Sequence, residues 1–192
     1  SIKSKALGDL DDRETVYFSK LTVPQREELD AVYSILVAGI GGTGVLTIGA
    51  ILATAAHLEH SNATSLDFAG LSQKNGSVVT HIRVAPKAVP IVNNRIPDAG
   101  AHLLLGCDMV AAMANAQRAS VEKTHCVLNT VAVQTAQFTL DNTQIISAAN
   151  LTDELTQAFG EQNLARINAT AICEKMFGNA IAANLFLVGY AF

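Results

Sequence analysis

Ile35-Leu-Val-Ala-Gly39-Ile-Gly41-Gly42-Thr43-Gly44-Val45 is an apolar, β-branched run that opens into glycines spaced G-x-G-x-x-G. An apolar segment of helical period follows, with Val45, Ile48, Leu52, Ala55 and Ala56 recurring at three- and four-residue steps. A strand before such glycines and a helix after them give the spacing its meaning. Gly39 permits a tight strand-to-helix turn, Gly41 lets the backbone approach a ligand, and Gly44 lets helix and strand pack closely. The free N–H groups at the helix start then face an anion, which the helix dipole favours. The reading is a nucleotide- or diphosphate-binding α/β domain. A glycine crossover that only permits close packing is the plainer alternative.

Composition agrees with that fold class. Hydrophobic residues make up 49% of the 192-residue chain, aromatics only 5%, and Trp is absent. Ala, Val, Ile and Leu therefore fill the interior, which suits helices packed on a parallel sheet. The expectation is a single three-layer α/β domain with a mainly parallel sheet over residues 31–192, truncated at its C-terminus, with residues 1–30 as a linker or arm. Net charge is −4 and no basic block occurs, so no nucleic-acid partner is expected. Charged residues are only 16%, which hints that other protein covers part of the surface. Cys107, Cys126 and Cys173 are far apart, so neither an Fe–S cluster, a zinc site nor a disulfide framework is expected. The start is polar rather than signal-like, and the apolar stretch 180–192 is too short to span a bilayer. A cytoplasmic protein with no membrane partner is the default.

Further elements follow along the chain. The first strand is read as Tyr33–Ala38 and its helix as Thr43–His57. A second strand, Ala63–Phe68, ends at Asp67, and a polar loop Ala69–Gly76 leads to a strand Ser77–Val84. In that strand Val78, Thr80, Ile82 and Val84 share one side, and Val79, His81 and Arg83 the other. Ala101–Leu105 is an apolar strand, and Asp108 suits the N-terminus of a helix reaching Arg118. Cys126–Thr130 reads as a buried strand ending in polar residues. Asn150 and Asp153 mark a helix start for Leu151–Phe159. A short strand Arg166–Ala169, a helix Thr170–Phe177 stopped by Gly178, and a last helix Asn179–Phe192 complete the reading.

Gly39-Ile-Gly-Gly-Thr-Gly-Val45 is followed some thirty residues later by Gly70-Leu-Ser-Gln-Lys-Asn-Gly-Ser-Val-Val-Thr-His-Ile-Arg83. The two in this order resemble the gamma domain of 2-oxoacid:ferredoxin oxidoreductases, most of all that of indolepyruvate ferredoxin oxidoreductase. Val127-Leu-Asn-Thr130 and Gly178-Asn179 with Asn184 are similar to the family's downstream pattern. The resemblance covers Ala31 onward. It implies a Rossmann-like unit that packs on thiamine-binding parts and, in pyruvate-specific relatives, contributes to coenzyme A binding. Family members decarboxylate a 2-oxoacid with thiamine diphosphate, pass electrons through 4Fe–4S clusters to ferredoxin, and form an acyl-CoA.

This chain has no cysteine cluster motif and no Gly-Asp-Gly…Asn signature for diphosphate and Mg²⁺. The resemblance therefore places thiamine diphosphate, Mg and the 4Fe–4S clusters on partner domains or subunits, and makes this chain non-catalytic in isolation. It assigns the ligand or interface side to Gly39, Gly41, Gly42, Thr43 and Gly44, and to the loop Ser72, Gln73, Lys74, Asn75, Gly76 and Ser77. Arg83 closes the second motif.

Weighed one by one, these residues also have bland readings. Asp67 stands near where a dinucleotide fold grips a ribose hydroxyl, which would make the chain an NAD(P)-binding dehydrogenase domain; a capped turn is the simpler role. Lys74 either meets phosphate or is merely solvated. Arg83, interrupting an apolar strand, needs a carbonyl or acidic partner if buried. His81 is read as a packing residue. Asn129 and Thr130 lie at the carboxyl end of a strand, where open α/β sheets place ligands. Asn179 and Asn184, on an apolar helix, need partners, and interdomain hydrogen bonds are expected. No Ser–His–Asp, Cys–His or paired-carboxylate set emerges. A purely structural interface module remains the third alternative.

Overall fold

The computed structural model describes residues 28–69, 77–131 and 148–192. Nearly all of the expected N-terminal arm and the loop 70–76 lie outside these residues.

The chain alternates strands and helices. Strand β1 is Tyr33–Ile40, helix α1 Val45–Leu58, β2 Asn62–Ala69, β3 Ser77–Ala85 and β4 Leu103–Gly106. Helix α2 (Met109–Met113) and β5 (His125–Asn129) follow, then α3 (Ala148–Phe159), β6 (Leu164–Ile167), α4 (Ala169–Phe177) and α5 (Ala183–Ala191).

The strands form one sheet in the order β2-β3-β1-β4-β5-β6. β1 pairs in parallel with β4, β4 with β5 and β5 with β6, whereas β3 runs against both β1 and β2. The sheet is thus mainly parallel, with one reversed strand inserted next to β1.

Both faces of β1 are covered, which is why it reads as an unbroken apolar run rather than an alternation. On one face Val37, Ile82 and Leu105 pack with Val45 and Ile48 of α1, Cys173 of α4 and Leu187 of α5. On the other, Leu36, Leu104 and Leu128 meet Met109 of α2 and Leu155 and Phe159 of α3. These are the three layers expected. Alternation in β3 holds too: Val78 and Ile82 face the α1 side and Val79 the α2 side.

Several boundaries moved, each for a local reason. α3 starts at Ala148, so Asn150 lies within the helix rather than at its cap. α2 ends at Met113, and the chain reaches Arg118 through a 3-10 turn at Ala116–Arg118. β6 starts at Leu164, two residues before Arg166. Gly178 adopts φ 76°, stopping α4 as expected. The side chain of Asn179 then accepts from Ile181 N at 3.1 Å, and this local turn delays α5 until Ala183. No helix among the described residues is long and apolar enough to cross a membrane.

Candidate functional site

Parallel strands bring their carboxyl ends, and the amino ends of the helices that follow, to one edge of the sheet. There a cleft of about 610 Å³ opens between the glycine turn, the ends of β4 and β5, and the start of α5. Ile40, Gly42, Thr43 and Gly44 form one side, and Cys107, Asp108 and Asn129 lie across from them.

The glycines divide the work differently from the expectation. Gly39 is the close-packing position: a Cβ there would lie 2.6 Å from Val45 Cγ2 and 2.9 Å from Cys107 Cβ. Gly42 and Gly44 hold the left-handed backbone, at φ 84° and 87°, that turns the strand into α1. A Cβ on Gly42 would meet nothing within 4 Å, so this turn is open toward the cleft. Gly41 is half-buried and is not among the cleft's lining residues. Because Gly44 precedes it, α1 begins without a side-chain cap and without an acid in its first turn.

Polar side chains brace this edge. Thr43 Oγ1 donates to Ile40 O at 2.7 Å, and Asn184 Nδ2 donates to Thr43 O at 2.6 Å. The expected interdomain role of Asn184 is thus replaced by an intrachain one. Asn129 is 4% exposed; its Nδ2 donates to Thr170 Oγ1 at 2.9 Å and to Cys107 O at 3.4 Å. Among the described residues its Oδ1 has no partner. Asp108 caps α2 as expected, with Oδ1 accepting from Ala111 N at 2.9 Å. Beside it, burial first and Asp108 second push the Cys107 thiol up to about 12, so it remains protonated at neutral pH.

Other expected site residues lie elsewhere. Ser77 pairs opposite Ile40 and is exposed at the glycine-turn end. Ser72, Gln73, Lys74, Asn75 and Gly76 lie outside the described residues. Arg83 pairs opposite Ser34, six rungs from Ile40 and so about 20 Å away along the strand. Its Nη1 donates to Asn93 O at 2.6 Å, the carbonyl partner that a half-buried arginine needs. Arg83 therefore does not meet the glycine turn.

Asp67 is likewise removed. β3 separates β2 from β1, so Asp67 stands two strands, about 10 Å, from β1, and it accepts from Thr80 Oγ1 at 2.7 Å. A dinucleotide fold needs that acid on the strand next to the glycine turn.

His81 is a buried acceptor: Ile96 N donates to its Nδ1 at 3.0 Å. Burial, with Arg118 and Arg95 nearby, lowers its pKa to about 4. His102 repeats the arrangement, taking Ser34 N on Nδ1 at 3.0 Å, and burial lowers its pKa as well. Thr47, Cys107, Val131, Thr170 and Ile181 also line the cleft, and their sequence context carries no signal of a site.

Cys126 packs on one face of the sheet and Cys107 and Cys173 on the other, all as free buried thiols. Burial raises all three pKa values, so the thiols stay protonated at neutral pH. Among the described residues no group of three or more His, Cys, Asp or Glu is placed to hold a metal ion.

A mainly parallel sheet whose carboxyl edge carries an uncapped glycine turn and a cleft defines an α/β domain with a candidate ligand site at that edge. More particularly, the chain belongs to the pyruvate ferredoxin/flavodoxin oxidoreductase family, whose pattern matches residues 34–192. It is 28% identical over 159 residues to indolepyruvate oxidoreductase subunit IorB of Archaeoglobus fulgidus, covering 83% of this chain and 75% of that one. It shares its fold with the gamma subunit of a keto/oxoacid ferredoxin oxidoreductase from Geobacter sulfurreducens, at TM-score 0.54 and 15% identity over 82% of this chain and 73% of that one. A 2-oxoglutarate:ferredoxin oxidoreductase from Magnetococcus marinus, solved with 2-oxoglutarate, coenzyme A and succinyl-CoA bound, matches at TM-score 0.56 and 13% identity over 83% of this chain and 23% of that one.

Proposed function

We propose that this chain completes the coenzyme A side of a thiamine-diphosphate active site in an indolepyruvate-type 2-oxoacid:ferredoxin oxidoreductase. The observation that carries the reading is the uncapped start of α1 facing the cleft. Unpaired N–H groups and the positive end of the helix dipole together favour a diphosphate there. Gly42, Thr43, Gly44 and Thr47 would hold it, with the left-handed glycines keeping side chains out of its path. Among the described residues lining the cleft Asp108 is the only charged one, so a cation for the diphosphate comes from Lys74 or from a partner subunit. The loop Ser72–Ser77 is assigned to the same ligand or interface side. When bound, coenzyme A supplies the thiol that accepts the acyl group.

Thiamine diphosphate, Mg²⁺ and the 4Fe–4S clusters belong to partner subunits in this reading, and ferredoxin is reached through them. The likeness to indolepyruvate oxidoreductase subunits supports the substrate class. The assembled enzyme works in the cytoplasm, and this chain binds and orients without turning over substrate alone.

The test is isothermal titration of coenzyme A into the chain, alone and together with its thiamine-binding partner subunit, with NADH as the contrasting ligand. Saturable coenzyme A binding that disappears in a folded Gly42→Val variant is expected. Saturable NADH binding, or no coenzyme A binding even in the complex, overturns the reading.

A further inference from the structure

Four helices of the described residues, α1, α2, α4 and α5, begin beside the cleft, and they differ in how their first turns are closed. α2 is capped by Asp108, and α4 by Asn168, whose Oδ1 accepts from Ala171 N at 2.9 Å. α1 follows a glycine and has no side-chain cap. α5 has none either, and Asn184 ties its start to the glycine turn, so an anion is favoured beside α1 and α5 and not beside α2 or α4. At the start of α2, Asp108 is 2% exposed and already places a carboxylate in the wall. A phosphate beside it would meet like charge in a medium that screens poorly.

Asn129 stands on that same wall. A buried acceptor without a partner is uncommon in folded proteins and asks for a donor. Its own amide nitrogen is committed to Thr170 and Cys107, so the oxygen is the group left to a ligand. Val131 and Ile181 add apolar wall to the cleft. The complementary group is neutral, partly apolar and carries an N–H.

We infer that the cleft takes its ligand in one direction, the diphosphate at the start of α1 and an uncharged, N–H-bearing arm at Asn129. Asn129 is then a specificity-determining residue, accepting that N–H on Oδ1. The inference rests on the coenzyme A reading for the diphosphate. Coenzyme A offers such an arm on either side of its diphosphate, as the amides of pantetheine or the amino group of adenine.

The experiment follows ¹H–¹⁵N spectra of the full chain while adding inorganic pyrophosphate, pantetheine or adenosine. Pyrophosphate is expected to move the backbone signals of Gly42 to Thr47 and to leave the Asn129 side-chain amide in place. Pantetheine or adenosine, whichever is the arm, is expected to move the Asn129 amide. A response to neither, or to pyrophosphate, overturns the inference. Replacing the side chain gives the second arm: Asn129→Leu is expected to weaken coenzyme A about tenfold while pyrophosphate affinity stays level. Equal losses, or none, in a folded variant overturn the inference and leave the proposed function standing. Absence of coenzyme A binding to the parent and to its complex overturns both.

Discussion

Asn184 donates its side-chain amide to the carbonyl of Thr43 across 2.6 Å, tying the last helix to the glycine turn over 141 residues of sequence. A second contact, to Thr43 Oγ1 at 3.3 Å, engages the hydroxyl that also bonds Ile40 O. Asn184 is 8% exposed whereas Thr43 is exposed, so its loss returns the carbonyl to water and costs the net hydrogen bond and the packing of the asparagine. Asn184→Ala is therefore expected to lower stability by about 1–2 kcal/mol. Urea denaturation monitored by circular dichroism checks this; an unchanged midpoint would mean that the tether contributes nothing.

The two kinds of glycine in the turn predict two kinds of damage. Gly39→Ala forces a methyl group into Val45 and Cys107, an overpacking cost of about 1–3 kcal/mol. Truncating the neighbour in Gly39→Ala/Val45→Ala removes one of the two clashes, so the double variant should lose less than the sum of the singles. Gly42→Ala meets no atom and costs only the left-handed backbone, about 1–2 kcal/mol, which no second substitution relieves. A thermodynamic cycle that came out additive for Gly39 and Val45 would contradict this packing account.

Much of this architecture was legible locally. Gly39 to Val45 announced the strand, turn and helix because each residue's role depends on its neighbours. Asp108 announced its cap three residues before Ala111 for the same reason. What stayed hidden is the order of strands. β3 inserts between β1 and β2 through backbone bonds that leave no side-chain signature, and that insertion sends Arg83 to the far end of the sheet and Asp67 two strands away. Side-chain contacts between distant segments were equally silent: Asn184 was visibly in need of a partner, but nothing near it named Thr43. Gly41, Gly42 and Gly44 could not be told apart without their φ angles.

Asp108 serves both fold and cleft, and the two roles separate by substitution. Asp108→Ala removes the acceptor of Ala111 N and should cost about 1–2 kcal/mol. Asp108→Asn keeps an acceptor oxygen and should cost less than half as much. Equal losses in guanidinium unfolding would show that the charge, not the cap, stabilises this helix.

His81 provides a pH signature. Its folded pKa of about 4 lies below the ordinary 6.5 because the imidazole is buried among Arg118 and Arg95 and must stay neutral to accept from Ile96 N. Below pH 6.5 the unfolded chain takes up a proton that the native chain refuses, so stability falls as pH drops and levels out near pH 4. A shift of that size corresponds to about 3–4 kcal/mol at most, and His102 adds to it in the same direction. Above pH 6.5 neither histidine contributes any slope. Carboxylates titrate in part of this window, so the informative quantity is the difference from a His81→Gln variant, which keeps an acceptor but no titratable group. Unfolding free energies measured every half unit from pH 7 to 4 should fall more steeply in the parent. Parallel curves would mean that His81 becomes protonated within the fold.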